Sequence, residues 1–210
     1  MNTLNYIVQK FGLDLNLRSP IPIPKINRTI MARTLAELDF TVGAEIGVAS
    51  GLHAETLCNH NSNLHLYCVD AWTRWPGYID YTGGRLQTFK KEALERLEPY
   101  HCTIIEKLSM EAVKEFADGS LDFVYIDGAH DFQSVVNDVC EWTKKVRPGG
   151  IIYGHDFKRS TNPRVTQHVK DAIPAYCYSH RINPWFVLGE RGHHDGQYRE
   201  GTQSWMFVKA

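Results

Sequence analysis

The sequence predicts an α/β domain built on a mainly parallel sheet, and three observations carry that expectation. From Val42 onward, short apolar runs alternate with amphipathic helical stretches. Three of the stretches between the strands show helical apolar spacing. The chain then closes on two strand-like runs separated only by a polar, Gly-containing stretch. Strands covered by helices on both faces read as near-continuous apolar runs, the pattern that parallel βαβ units impose.

The strand candidates, in order, are VGAEIGV (42–48), HLYCVDA (65–71), CTIIEK (102–107), LDFVYIDG (121–128) and GIIYGHD (150–156). Between them, Phe89, Ala93, Leu94 and Leu97 share one helical face. Met110, Val113, Phe116 and Ala117 share another, with Ser109 as a capable N-cap and Asp118-Gly119 as the stop. Val135, Val136, Val139, Trp142 and Val146 form a third face, ended by Arg147-Pro148-Gly149-Gly150. Trp185 to Leu188 and Ser204 to Val208 form a hairpin, so the sheet should end in an antiparallel pair. Ahead of all this, the alternate prolines of SPIPIP (19–24) favour an extended connector. Residues 1–40 therefore read as an appendage or lid, and 41–210 as the main domain.

Composition sets limits on function. The 210 residues allow one ordinary domain, and 43% are hydrophobic, normal for a soluble chain. Twenty-three basic residues against 24 acidic ones leave a net charge of −1, which gives no global field to hold nucleic acid or an anionic membrane. The five cysteines form no C-x-x-C pair, which argues against a zinc ribbon or a disulfide framework and for reduced thiols in a cytoplasmic protein. No basic segment followed by an unbroken apolar stretch opens the chain, and no run approaches 18 apolar residues.

In an open α/β sheet, ligands bind beyond the carboxyl ends of the strands. There the first strand ends in Ala44-Glu45-Ile46-Gly47-Val48-Ala49-Ser50-Gly51. Gly47 permits a tight turn and Gly51 a close backbone approach, while Ala49 is small. This E-x-G-x-A-x-G departs from the dinucleotide pattern, and the Glu45 carboxylate would repel a pyrophosphate, so a cationic ligand fits better. Asp70 closes the second strand, where a carboxylate can hold both ribose hydroxyls. Ser109 follows the third, Asp127 ends the fourth, and His155-Asp156 ends the fifth.

With AEIGVASG, the YCVDAW strand end, SLDFVYIDGAHDF and RPGGIIYGHDF on one chain, the sequence resembles the class I S-adenosylmethionine-dependent methyltransferases. Within them it is most similar to the branch with macrolide-sugar O-methyltransferases and related small-molecule enzymes. The resemblance implies a Rossmann-like, doubly wound seven-stranded sheet of order 3-2-1-4-5-7-6, with the seventh strand antiparallel. It implies that Glu45 and the loop of Gly47, Ala49, Ser50 and Gly51 face the amino-acid part of S-adenosylmethionine. Asp70 would take the ribose with Ala71 and Trp72 beside it, Leu108 and Ser109 would flank the adenine, and Asp127 would border the same cleft.

An acceptor hydroxyl needs a base, a metal or both. His130, three residues beyond Asp127, is the expected base. Asp127, His155 and Asp156 form the expected set for Mg2+ or another divalent cation, although His155 stands where the family branch often has an acid. A metal-free enzyme using His130 or His155 as base remains an alternative. So do a Rossmann-like nucleotide-binding or dehydrogenase module and a non-catalytic cofactor-binding subunit. The expected partner is a small hydroxyl compound, sugar or phenol, rather than nucleic acid or membrane, and a homo-oligomer is compatible with this.

Other features have two readings. The aromatic run from Trp72 through Trp75 and Tyr78 to Tyr81 could stack on an acceptor or simply pack the loop. Lys158, Arg159 and Arg164 could meet an acidic substrate or form a solvated face. His193-His194-Asp195 reads as a solvated turn, and the remaining histidines show no ligand spacing.

Overall fold

The computed structural model describes residues 2–74, 83–160, 166–190 and 201–210. Its elements are α1 (Thr3–Phe11), β1 (Ile21–Ile23), α2 (Arg28–Glu37), β2 (Val42–Ile46), α3 (Leu52–His60), β3 (His65–Val69), α4 (Gly83–Leu97) and β4 (Cys102–Ile105). They continue with α5 (Ser109–Ala112), β5 (Leu121–Ile126), α6 (Phe132–Lys145), β6 (Val146–Gly154), α7 (Val169–Ser179), β7 (Trp185–Leu188) and β8 (Ser204–Val208). No helix among the described residues is long and apolar enough to cross a membrane.

One sheet holds all eight strands in the order β1-β7-β8-β6-β5-β2-β3-β4. Strands β2 to β8 reproduce the expected 3-2-1-4-5-7-6 order, and β8 runs antiparallel to both β6 and β7. The eighth strand corrects the expected count. The segment read as a connector, Ser19 to Pro24, contributes β1, which pairs parallel with β7 through Ile21↔Phe186 and Ile23↔Leu188. Its prolines permit this because β1 lies at the sheet edge, where one side of the strand needs no ladder partner. Ile21 and Ile23 are buried while Pro22 between them is exposed.

Apolar side chains fill both faces of the sheet. On one face Leu35, Leu57, Phe89 and Leu97 from helices α2, α3 and α4 pack with Phe123, Tyr125 and Tyr153. On the other, Val139 and Trp142 of α6 and Ile173 of α7 pack with Val124, Ile152 and Phe207.

Two local expectations change. Leu94, placed on the buried face of α4, is 43% exposed, because the inward stripe runs through Leu86, Phe89, Ala93 and Leu97. Ser109 is not the cap of its helix. Leu108 holds the N-cap position, and the Ser109 hydroxyl instead donates to Asp138. That helix is a single turn continued by a 3-10 turn over Val113–Glu115, and the chain then turns through Gly119 at φ +72°.

Gly43 shows how tightly β2 and β5 are joined. It pairs with Phe123, and a Cβ built on it would lie 2.2 Å from Cζ of the Phe123 ring. Gly43→Ala should therefore cost about 1–3 kcal/mol through overpacking. Urea unfolding measures it, and an unchanged midpoint would show that the ring can swing aside.

Candidate active site

The parallel strands β2, β3, β5 and β6 all end at one edge, and their ends form a cavity of about 480 Å³. The first wall is the loop after β2. Gly47 sits at φ +89°, and a Cβ there would lie 2.2 Å from the carbonyl oxygen of Asp127. No other residue tolerates both that conformation and that approach. Asp70, beyond β3, holds the loop in place. Its two oxygens accept from the backbone N–H groups of Ala49, at 2.9 Å, and Trp72, at 2.8 Å. Burial raises the Asp70 carboxyl, and those N–H groups oppose the shift.

Gly47, Ala49, Asp70, Ala71, Leu108, Ser109 and Asp127, all expected around a cofactor, line this cavity. Glu45, Ser50, Gly51 and Trp72 do not. The Trp72 ring is 1% exposed and turned into the core, where its indole N–H donates to the Ala49 carbonyl at 2.8 Å. Ser50 is buried, and its carbonyl accepts from Arg96. Gly51 packs its Cα side against Ala93 of α4. These three therefore shape the loop from behind. Glu45 is 2% exposed and pairs in register with Tyr125. Burial first, and then the Asp127 charge, push its carboxyl well above the usual range, with Arg28 opposing.

At the far end of the cavity four side chains from β5, β6 and the turns after them converge. His130 Nε2 lies 3.1 Å from Asp156 Oδ2 and 3.6 Å from Asp127 Oδ1. His155 Nδ1 lies 3.3 Å from Asp156 Oδ1 and 4.0 Å from Asp127 Oδ2. Tyr125 donates its hydroxyl to Asp127 Oδ2 at 3.1 Å. Thr202 donates to Asp156 Oδ1 at 2.7 Å. Burial opposes ionisation of both aspartates, but the hydrogen bond and charge of His130, the charge of His155 and, at Asp127, Arg28 outweigh it. Both carboxyls are held below their usual range, Asp156 far below.

The group with metal-ligand spacing is Asp127, His130 and Asp156, with one atom of each within 4.8 Å of the others. His130, expected as base, thus stands at ligand spacing, and His155, expected as ligand, lies at the flank. Two fixed cations meet the same carboxylates: Arg28 reaches Asp127 at 3.8 Å and Lys158 reaches Asp156 at 3.2 Å.

Arg28 and Asp138 are among the cavity residues without a counterpart in the sequence expectations. Arg28, at the first turn of α2, comes from the segment read as an appendage, and only the folded chain brings it to Asp127. Asp138 does leave a trace in the sequence, a charge set inside the Val135, Val139 and Trp142 stripe of α6. It is 4% exposed and accepts from Ser109, whose oxygen in turn accepts from the Trp142 indole at 2.8 Å. Trp75, Tyr78, Tyr81, Arg164 and the His193-His194-Asp195 turn lie outside the described residues.

A family model described as a methyltransferase domain matches residues 44–157, more than half of the chain. Among solved structures, an O-methyltransferase from Bacillus cereus in complex with SAH is 16% identical, with TM-score 0.60 over 99% of this chain and 90% of that one. The O-methyltransferase TomG of Streptomyces achromogenes, involved in tomaymycin synthesis and solved with SAM, is 13% identical, with TM-score 0.59 over 99% and 89%. An rRNA methylase from Streptococcus thermophilus is 11% identical, with TM-score 0.58 over 88% and 98%. A search of curated proteins found no match. The fold is that of the class I S-adenosylmethionine-dependent methyltransferases. The chain belongs to the methyltransferase-domain family, and the dehydrogenase alternative falls away.

Asp138 gives a test of this end of the cavity. Burial, with a smaller push from Asp131, raises its carboxyl to about 7, against the hydrogen bond from Ser109. A folded-state value above the unfolded one of about 3.9 means that the protonated form contributes stability in full below pH ~4. That contribution is lost as pH rises through about 7. Asp138→Asn keeps an oxygen for Ser109 but cannot ionise. Its stability relative to wild type should rise between pH 5 and pH 8, by roughly 2–3 kcal/mol. Urea unfolding at the two pH values measures this, and a pH-independent difference would show that Asp138 does not titrate in this range.

Proposed function

We propose that the chain transfers a methyl group from S-adenosylmethionine to a hydroxyl of a small acceptor, with His130 as the general base. The observation that carries this reading is the pair of carboxylates, Asp127 and Asp156, on either side of His130 Nε2 at the end of the cavity.

The lining suits such a ligand. Beyond the His130 cluster, Asp70 and Asp138 border the cavity against Lys107, and Glu45 lies buried behind it. That side offers carboxyl groups to a cationic, ribose-bearing molecule, on a loop that Asp70 already holds in place. S-adenosylmethionine supplies an electrophilic methyl group on a sulfonium. What the protein must add is alignment, exclusion of water and removal of a proton. With Nε2–H directed at Asp156 and Asp127, the other ring nitrogen of His130 takes the proton from the acceptor hydroxyl, and the two carboxylates stabilise the imidazolium that results. Tyr125 and Thr202 fix those two carboxylates by donating to them.

A divalent cation fits this cluster by donor type but not by charge. Arg28 already pairs with Asp127 Oδ2 and Lys158 with Asp156 Oδ1, so both carboxylates carry a balancing cation. The proposed transfer therefore runs on His130 and its carboxylates, with no step through a metal. The segment 1–40 serves as the cover of the site, with Arg28 as its contribution. The net charge of −1 and the cavity of about 480 Å³ favour a small acceptor over a polyanion.

The test is a methyl-transfer screen over sugars, phenols and small metabolites, read by release of S-adenosylhomocysteine with and without EDTA. Turnover with a hydroxyl acceptor that survives EDTA is the expected result. Preference for amines would sink O-methylation, and loss of activity restored by Mg2+ would replace the metal-free account. His130→Ala should lower kcat by about 10²–10⁴-fold while leaving S-adenosylhomocysteine affinity nearly unchanged.

Asp70→Ala should do the reverse, weakening S-adenosylhomocysteine binding by about 10–100-fold, the range expected for lost hydrogen bonds to a charged group. Calorimetric titration separates the two residues, and equal effects on binding would contradict their assignment to different halves of the cavity.

A further inference from the structure

Three of the five cysteines converge on the sheet face opposite α6 and α7, and none of them lines the cavity of the proposed chemistry. Cys58 lies in the last turn of α3, Cys68 in β3 and Cys102 at the start of β4. Cys58 Sγ and Cys102 Sγ are 3.7 Å apart, while the Cys68 thiol donates to the Leu66 carbonyl at 3.9 Å. Cys58 is 6% exposed and Cys68 is fully buried, whereas Cys102 is only partly covered and opens the edge strand of the sheet. Methyl transfer as proposed above uses none of these thiols, and their own chemistry is independent of it.

We propose that Cys102 and Cys58 form a peroxide-sensitive thiol pair that closes to an intramolecular disulfide, with Cys102 as the attacking sulfur and Cys58 as the resolving one. The geometry assigns the roles. Cys102 is the least covered residue of the three, and Cys58 is the one whose sulfur is placed beside it. Closing 3.7 Å to a bond of about 2.05 Å needs less than 2 Å of relative movement between the end of a helix and the end of an edge strand. The surroundings favour the assignment. The hydrogen bond from the Cys58 thiol and the neighbouring Cys68 thiol, and then the nearby His65 and His101 imidazoles, pull the Cys102 thiol below its usual range against the effect of burial. The same contacts, with burial, push Cys58 and Cys68 up. His65 and His101 stack with ring centroids 4.1 Å apart, and His65 Nε2 lies 2.8 Å from the Thr103 hydroxyl, so both rings are fixed beside the strand.

The step balances with hydrogen peroxide as oxidant. The Cys102 thiolate attacks one peroxide oxygen, the O–O bond breaks and hydroxide leaves, giving a sulfenic acid on Cys102. The Cys58 sulfur then attacks the Cys102 sulfur. The S–O bond breaks, and the oxygen departs as water with the Cys58 proton. Two thiols give up two electrons and two protons in total, and one peroxide becomes two waters. Cys140 and Cys177 serve as internal controls, because they sit on the other sheet face with the α6 and α7 core.

The test uses the intact wild-type chain, freed of reductant and treated with rising equivalents of hydrogen peroxide. Free thiols are then blocked and peptides mapped by mass spectrometry without reduction. The expected result is a peptide pair linked through Cys58 and Cys102, with Cys140 and Cys177 still free, and complete reversal by dithiothreitol. In Cys58→Ser the expected product is a sulfenic acid on Cys102, trapped by dimedone. Oxidation of Cys140 or Cys177 ahead of Cys102, a link from Cys102 to Cys68, or five thiols still free after peroxide would each overturn the proposal. The wild-type map decides the matter even if the variant folds poorly.

Discussion

Gly47 lies so close to the backbone of Asp127 that a single added carbon would sit 2.2 Å from its carbonyl oxygen. That contact sets the distance between the ends of β2 and β5, and the other parts of the site follow from it. Asp127 N–H donates to Ile46 at 2.8 Å, and Gly47 N–H donates to Val69 at 2.9 Å, so β2 is tied to a strand on each side just where its loop begins. Ala49, two residues on at φ +47°, can then reach Asp70, and Asp127 stands within range of His130. A bulkier residue at 47 would separate the two halves of the cavity as well as strain one turn. Gly43, under the Phe123 ring four residues earlier, keeps the same two strands close along their length.

The second organising feature is charge gathered in a partly enclosed place. Asp127 and Asp156 would be poorly tolerated there alone, because burial disfavours both ionised carboxylates. Their ionisation is held by donors from five different parts of the chain: α2, β5, the turn after β5, the segment after β6 and the residues before β8. The cluster is therefore a product of the completed fold. It also explains why one charge, at Arg28, can lie far from the others in sequence and still be electrostatically part of them.

Much of this was legible in the sequence. The strand order is implied by the family resemblance, the antiparallel final pair by the hairpin, and the convergence of Gly47, Asp70, Asp127, His130, His155 and Asp156 at one edge by their places at strand ends. What sequence reading missed has physical causes. Ser109 looks like a cap because its residue type favours that role, but the buried carboxyl of Asp138 offers its hydroxyl a stronger partner. Leu94 satisfies a helical period yet faces outward, because the period allows neighbouring stripes and only packing selects one. Trp72 follows a functional strand end, but its large ring is worth more in the core than at the cavity wall. Ile21-Pro22-Ile23 has strand character that its prolines disguise, and its partner lies at the opposite end of the chain. Arg28 left no local signal at all.

The pairing of β1 with β7 has a consequence for the order of assembly. The hydroxyl of Ser19 donates to Asn183 across 164 residues, and the three-residue strand beside it can dock only after almost the whole chain exists. Contacts this distant in sequence carry the largest loop-closure entropy and form late. On this topology the glycine loop, Asp70 and Asp127 can come together from the central βα units, and α2 can bring Arg28 to them by packing on its sequence neighbour α3, before β1 has a partner. The edge of the sheet then closes last, over a site whose charges are already in place.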